Sequence, residues 1–236
     1  MYNIAIIPAR AGSKRIPGKN MRKLGDKPLV NYTIEAALAC KHIDKIVVSS
    51  DIPELAAVVS EYQSEKLLFL KRPQELSGDF VTTEDVLVHV VNEVNTKNAI
   101  SAVITLLPTS PFRNAEIIDR CISLFYEKRA DAVLTFSLEK LKLGKYNEKT
   151  QQFELIDKNT PSEMFKVPLV AYDNPSTYVT SPKVLFEKRF VLGEKNYGVY
   201  IDKLLGLDIN DEIDWIFAEA IINSHKNVLE CNTLQK

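Results

Sequence analysis

The stretch IPARAGSKRIPGKN, residues 7–20, decides how the rest of the chain reads. It follows directly on the apolar start Met1–Ile7 and gathers Arg10, Lys14, Arg15 and Lys19, with Arg22 and Lys23 just beyond. No acidic residue precedes Asp26, and Pro8, Gly12, Pro17 and Gly18 break the stretch. An apolar run that ends in a basic, glycine-bearing loop is the pattern of a first strand whose carboxyl end faces an anion. Gly12 and Ser13 let backbone N–H groups point into a concavity. Lys14 and Lys19 add point charges, and Arg10 adds a planar fork that suits phosphate oxygens. The loop is not of the Walker type: five residues separate Gly12 from Gly18, and Asn20 follows Lys19. It also lacks the G-x-G-x-x-G fingerprint. A solvated basic turn is the competing reading, and glycine together with lysine after a first strand favours phosphate binding.

Outward from the loop, short apolar runs alternate with helical spacing. Strands are expected at Asn3–Ile7, Lys45–Ser49, Lys66–Leu70, Ala102–Leu107 and Ala132–Phe136. Helices are expected over Leu29–Cys40, Pro53–Tyr62 and Thr83–Val94, and after an N-cap at Asn114. Val86, Leu87, Val90, Val91 and Val94 share one helical face, as do Ile117, Ile118, Cys121, Ile122 and Phe125. Asp211–Ile222 reads as a closing helix with Ile213, Ile216, Phe217, Ala220 and Ile221 turned inward. Alternation of this kind gives an α/β, Rossmann-like fold: a mostly parallel sheet with helices on both faces. After about residue 138 the rhythm changes to a polar, irregular insertion, placed at about 139–180, and TYVTSPKVLF (177–186) reads as a returning strand and a turn. The whole chain, 1–236, is expected to be one domain carrying that insertion.

Bulk composition limits the partners. With 30 basic and 31 acidic residues among 236, there is no global field for nucleic acid, and none is expected as a partner. No apolar run is long enough for a membrane span, and the N-terminus is too short and uncharged for a signal peptide. Cys40, Cys121 and Cys231 are far apart and odd in number, so they read as reduced thiols of a cytoplasmic protein. His42, His89 and His225 are isolated, and a structural or surface role is expected for each.

The stretch IIPARAGSKRIPGKN resembles the N-terminal signature of the CMP-sugar synthetases, the acylneuraminate and nonulosonate cytidylyltransferases. VVSSD (47–51), KRPQELSGD (71–79), LLPTSPFR (106–113) and LDINDEIDW (207–215) follow in the same order. The resemblance covers nearly the whole chain and is weakest over 139–200. It implies a nucleotide-diphospho-sugar transferase-like fold, Mg²⁺ dependence, and the joining of CTP to a sugar acid with release of pyrophosphate. It further implies that Arg10, Ala11, Gly12, Ser13, Lys14 and Lys19 surround the phosphates, with Arg10 and Lys14 catalytic and Lys14 at the α-phosphate. Asn20, Arg72, Thr83 and the Val81 backbone would bind cytosine and ribose. Asp208 would hold the metal, with Asn210 as the second candidate. Asp211, Glu212 and Asp214 read instead as carboxylates favoured at a helix N-terminus. Thr82 and Thr83 could also cap their helix.

The acceptor side departs from the family. Leu107 stands where the sialic-acid enzymes have Gln, and no arginine occurs around Met164 or Tyr172–Asp173. Pro175 and Ser176 replace Gly-Ala, and Asn210 replaces a second Asp. The acceptor candidates are Leu107, Thr109, Ser110, Lys166 and Asn174, with Lys166 on the acid's carboxylate. A bacterial nonulosonate such as pseudaminic or legionaminic acid is expected in place of N-acetylneuraminate. A 3-deoxy-octulosonate, a different nucleotide, or a non-catalytic nucleotide-binding homologue are the alternatives. A homodimer joined through the insertion is expected.

Overall fold

In the computed structural model, residues 2–94, 99–159 and 161–224 are described. His225 and Cys231 lie outside them.

The first strand, β1 (Asn3–Ala9), is buried along nearly its whole length. That is what a central parallel strand covered on both faces requires. Ala5 and Ile7 face a core built with α1 (Leu29–Ala39) and α4 (Ala115–Lys128). Ile4 and Ile6 face the opposite core, built with α3 (Thr83–Glu93) and α5 (Pro182–Lys188). The single alternation of side chains along β1 therefore fixes both layers.

Around β1 lie β4 (Lys45–Ser50), β5 (Leu67–Lys71), β6 (Ala102–Leu106), β7 (Ala132–Lys140), β10 (Leu169–Thr180) and β11 (Asn196–Tyr200). The seven-stranded sheet has the order β11-β7-β10-β6-β1-β4-β5. β10 is antiparallel to both its neighbours, and the other pairs are parallel. β1 sits between β4 and β6, so its carboxyl end and that of β6 open side by side, where open α/β sheets bind ligands. A short β2–β3 hairpin (Lys23–Leu24, Lys27–Pro28) leads into α1, and α2 (Glu54–Glu61) joins β4 to β5.

The expected strands and helices are present, with no end moved by more than four residues. Asn114 caps α4, its Oδ1 accepting from the Ile117 N–H at 3.0 Å. Three expectations are corrected. The returning strand begins at Leu169, and Pro182–Lys188 is a helix capped by Ser181, not a turn. The segment outside the main sheet is 141–168, and it holds its own hairpin of β8 (Gly144–Asn147) and β9 (Gln152–Leu155). The third concerns α6 (Glu212–Ser224), which turns Trp215 and Ala218 inward while Ile213, Ile216 and Phe217 are exposed.

The reason for that last choice is the core beneath the basic loop. Ile16 of the loop, Leu24, Leu29, Phe112, Ile209, Trp215 and Ala218 pack together there. The Trp215 ring also takes the Arg22 guanidinium over its face at 4.2 Å and donates Nε1–H to Glu219 at 2.9 Å. Trp215 is fully buried in that core, and seating its large ring there turns the opposite face, with Ile213, Ile216 and Phe217, outward. The same packing plants the loop, because Ile16 is fully buried within it.

Candidate active site

Arg10, Ser13, Lys14, Lys19 and Asn20 line a cavity of about 380 Å³ at the carboxyl end of β1, together with Arg15, Thr109 and Asn210. Arg72, Val81 and Thr83 line a second cavity of about 260 Å³. The two meet at Pro8, Arg10 and Leu107. Larger hollows lie on the β8–β9 hairpin (about 1000 Å³) and between α4 and β11 (about 590 Å³), and neither gathers these motifs.

Each cation is placed by a definite contact. Asn20 Nδ2 donates to the Arg10 carbonyl at 2.9 Å, and the Ala11 N–H donates to Asp51 Oδ1 at 2.8 Å. The backbone around Arg10 is thus held from two sides. Gly18 adopts φ +65°, the left-handed region that favours glycine, and turns the chain back under the loop. A Cβ at Gly12 would meet nothing within 4 Å, so the loop is open there. Ala11 and Gly12 do not line the cavity.

Lys19 is buried and donates Nζ–H to the Ile209 carbonyl at 2.7 Å. Burial lowers its pKa, and Asp208 opposes that shift. It ties the basic loop to the segment that carries Asp208. Arg72 is 5% exposed and donates from Nη2 to the Ser49 carbonyl at 2.7 Å and from Nε to Ser49 Oγ at 3.3 Å. Burial lowers its pKa too, with Asp51 acting against it.

Lys14 and Arg10 already hold an anion from their own chain. Lys14 Nζ lies 2.7 Å from Asp79 Oδ2, and Arg10 Nη1 lies 3.4 Å from Asp79 Oδ1. The hydrogen bond from Lys14 leads in holding the Asp79 carboxyl below its ordinary range. The pair is exposed, and such pairs are worth little. Thr82 caps α3 through a reciprocal bond with Asp85, which leaves the Thr83 side chain free for the cavity wall.

Near the start of α6, Asp208 Oδ2 accepts from Asn210 Nδ2 at 2.6 Å, while its Oδ1 is buried without a partner. Asp211 and Asp214 accept from backbone N–H groups at the helix start, and Glu212 pairs with Arg22 at 2.7 Å. Among the described residues no group of three or more His, Cys, Asp or Glu is arranged to hold a metal.

The acceptor candidates separate. Leu107 lines both cavities, and Thr109 lines the larger one while its carbonyl accepts from the Ile209 N–H at 2.8 Å. Ser110 is buried with an unpartnered Oγ. Asn174 is buried and braces the Gly206 turn, donating to the Gly206 carbonyl at 2.7 Å; a Cβ on Gly206 would meet that amide at 2.4 Å. Lys166 lies on the 141–168 segment, paired with Glu163 at 3.2 Å, and lines neither cavity. Arg113, from the LLPTSPFR motif, is buried with burial lowering its pKa to about 9. Its guanidinium donates to Thr33 Oγ1 at 2.7 Å and to the carbonyls of Leu107 and Ser176, which clamps β6 to β10.

A third cavity, of about 210 Å³, shares Thr83 and Leu107 with the second and is lined besides by Thr105, Val191, Leu192 and four residues to which the sequence assigned no role. They are Glu84, Asp173, Tyr178 and Phe190. The pairing of β10 shifts register between Asp173 and Tyr178, and this irregularity brings the two together. The only sequence signal is the absence of arginine around Tyr172–Asp173.

Cys40 and Cys121 are buried free thiols, and burial pushes both up to about 12. His42 Nδ1 lies 2.6 Å from Asp119 Oδ1 at the surface, and neither it nor His89 lines the three cavities. No helix among the described residues is long and apolar enough to cross a membrane.

The cytidylyltransferase family profile matches residues 4–205. The chain belongs to the cytidylyltransferase family. This cytidylyltransferase, a nucleotidyltransferase, is 30% identical to the CMP-N,N'-diacetyllegionaminic acid synthase of Legionella pneumophila, over 97% of this chain and 100% of that one. It is 29% identical to the pseudaminic acid cytidylyltransferase of Campylobacter jejuni, over 94% and 96%. Among solved structures, the fold matches the CMP:2-keto-3-deoxy-manno-octonic acid synthetase complexed with CTP, at a TM-score of 0.69, 16% identity and coverage of 95% and 99%. That likeness shows that the cytidylyltransferase shares the nucleotidyltransferase fold.

Proposed function

We propose that this cytidylyltransferase joins CTP to a nonulosonic acid, giving a CMP-nonulosonate and pyrophosphate. The observation that carries the reading is the meeting of two cavities at Arg10 and Leu107, one lined by Ser13, Lys14 and Lys19 and the other by Arg72, Val81 and Thr83. The relatives named for legionaminic and pseudaminic acid support the acceptor class. The triphosphate lies along the basic cavity, and the base and ribose lie beside Arg72, Asn20 and Thr83. The cytoplasm is the proposed compartment, and the free thiols Cys40 and Cys121 support it.

The anomeric hydroxyl of the acid attacks the α-phosphorus as the bond to the pyrophosphate oxygen breaks. Charge builds on the α-phosphoryl oxygens, and catalysis is mostly positioning and electrostatic stabilisation. Lys14 meets that charge, and Arg10 grips the phosphates behind it. Mg²⁺ needs only one or two carboxylates beside phosphate oxygens and water. The unpartnered Asp208 Oδ1 fits that requirement; Asn210 stands beside it, with Nδ2 on Asp208 Oδ2 and Oδ1 accepting from Arg15 at 3.2 Å. When bound, the ion neutralises phosphate charge. Lys19 keeps the Asp208 segment against the loop.

The whole chain acts as one nucleotidyltransferase domain. The insertion makes an isologous two-fold dimer contact. Tyr146, Phe153, Ile156 and Phe165 support this reading, because all four are exposed on that segment.

The test is pyrophosphate release from CTP, UTP, ATP and GTP with several keto-sugar acids. Release with CTP and a nonulosonate, but not with the other nucleotides, is expected. Binding of CTP without release under any acid would leave a non-catalytic homologue. Release with a 3-deoxy-octulosonate alone would move the acceptor to that class.

A further inference from the structure

The third cavity carries charge opposite to that of the other two. Asp173 and Glu84 line it, and no lysine or arginine does. Tyr178 donates its hydroxyl to Asp173 Oδ2 at 2.7 Å, which fixes that carboxylate and leaves Oδ1 to accept from elsewhere. The walls are otherwise Leu107, Val191 and Leu192, with the half-exposed Phe190 at the edge. At the base, Thr105 is 1% exposed and its Oγ1 has no partner. A buried hydroxyl without a partner is destabilising unless a ligand meets it. The carboxylates are not grouped as a metal site.

Such walls exclude one end of the substrate and select the other. A sugar acid's own carboxylate would face two carboxylates here, so it belongs with the cations of the basic cavity. What remains for the acidic cavity is a side arm of the sugar. Carboxylate oxygens and an aromatic face together favour a group that is cationic and rich in N–H. Loss of water on one side raises the Asp173 pKa, with the Tyr178 hydrogen bond opposing; a cation in the cavity would offset that rise.

We propose that the cavity bounded by Asp173, Glu84 and Phe190 holds an amine or amidine on the sugar acid, accepted by the Asp173 carboxylate that Tyr178 positions. This rests on the nonulosonate reading and deepens it: Asp173 selects the nitrogen substituent.

The test uses two nonulosonates that differ at one side-arm nitrogen, amidino in one and acetamido in the other. Pyrophosphate release is followed with each at pH 7, and CTP binding is measured separately by calorimetry. The wild type favours the amidino acid by about tenfold or more in kcat/KM, the scale of a hydrogen bond to a charged group. Asp173→Asn brings the two acids within about threefold, through KM for the amidino acid, and leaves CTP affinity unchanged. Tyr178→Phe falls between the two. If Asp173→Asn does not fold, Glu84→Gln must lower the same preference. Equal or better turnover of the acetamido acid by the wild type, or an unchanged preference in Asp173→Asn, overturns the proposal. CTP binding with no turnover of either acid overturns the acceptor reading and this inference with it. Absence of CTP binding overturns the nucleotide reading instead.

Discussion

The basic cavity of about 380 Å³ and the acidic cavity of about 210 Å³ share Leu107 as a wall, yet they are assembled in different ways. The first draws Arg10, Ser13, Lys14, Arg15, Lys19 and Asn20 from one continuous loop. That loop is planted by Ile16 and tied by Asn20, Asp51 and Lys19. The second draws Glu84 from the first turn of α3, Asp173 and Tyr178 from either side of an irregular step in β10, and Phe190 from beyond α5. A site whose cations all come from one loop keeps its charge when its other walls, such as Leu107, Thr109 and Asn210, change. A site made by three separate segments changes its charge with a single residue. On the proposed reading, the nucleotide side is therefore the part less sensitive to a single change, and the acceptor side is the part that sets the preference among acids.

The largest expected effect falls on the nucleotide side. Lys14→Ala lowers kcat by about 30- to 1000-fold, the 2–4 kcal/mol scale of one electrostatic group. The loss is the same for every acceptor when steady-state rates are compared. A loss that depended on the acid would show that the two sides are not separable. Next, Asp208→Asn raises the Mg²⁺ concentration for half-maximal rate by at least about tenfold, as metal titrations would read. Unchanged Mg²⁺ dependence would remove Asp208 from the metal site. Arg72→Lys trades the planar fork for a point charge. It raises KM for CTP by about tenfold while the ranking of acids stays fixed. The smallest effect sharpens the shared wall. The wild type prefers a 9-deoxy nonulosonate over N-acetylneuraminate in kcat/KM, and Leu107→Gln narrows that preference by about three- to fivefold by offering polar groups a partner. Equal rates with the two acids in the wild type would show that Leu107 does not set specificity.

The same contrast explains what could be read in advance. The central strands were legible because parallel strands buried on both faces are continuous apolar runs, as in IAIIPA and AVITL. The basic loop was legible because its residues are neighbours in the chain. Lys19, Asn20 and Asn174 were singled out as ligand contacts. Sequence gave no hint that each also spends its side chain on a carbonyl of this protein. The inward face of α6 was misread because the helix carries two apolar stripes, and periodicity does not rank them. Trp215 won through the small core under the loop, whose members lie far apart in sequence. The β11 strand was missed since NYGVY is largely exposed and interrupted by Gly198. Asp173 and Tyr178 meet only through the irregular register of β10, which no spacing rule reveals.

Asp79, seated on Lys14 and Arg10, gives the loop a threshold. A nucleotide that takes those cations exchanges one anion for another, and its rival is tethered to the same chain. A tethered rival acts at an effective concentration in the millimolar range. A triphosphate, which can reach several of the cations at once, displaces it. Because the pair is exposed and weak, the carboxylate acts on the proposed reading as a placeholder: it keeps the cations aimed inward and gives them up readily to a polyanion.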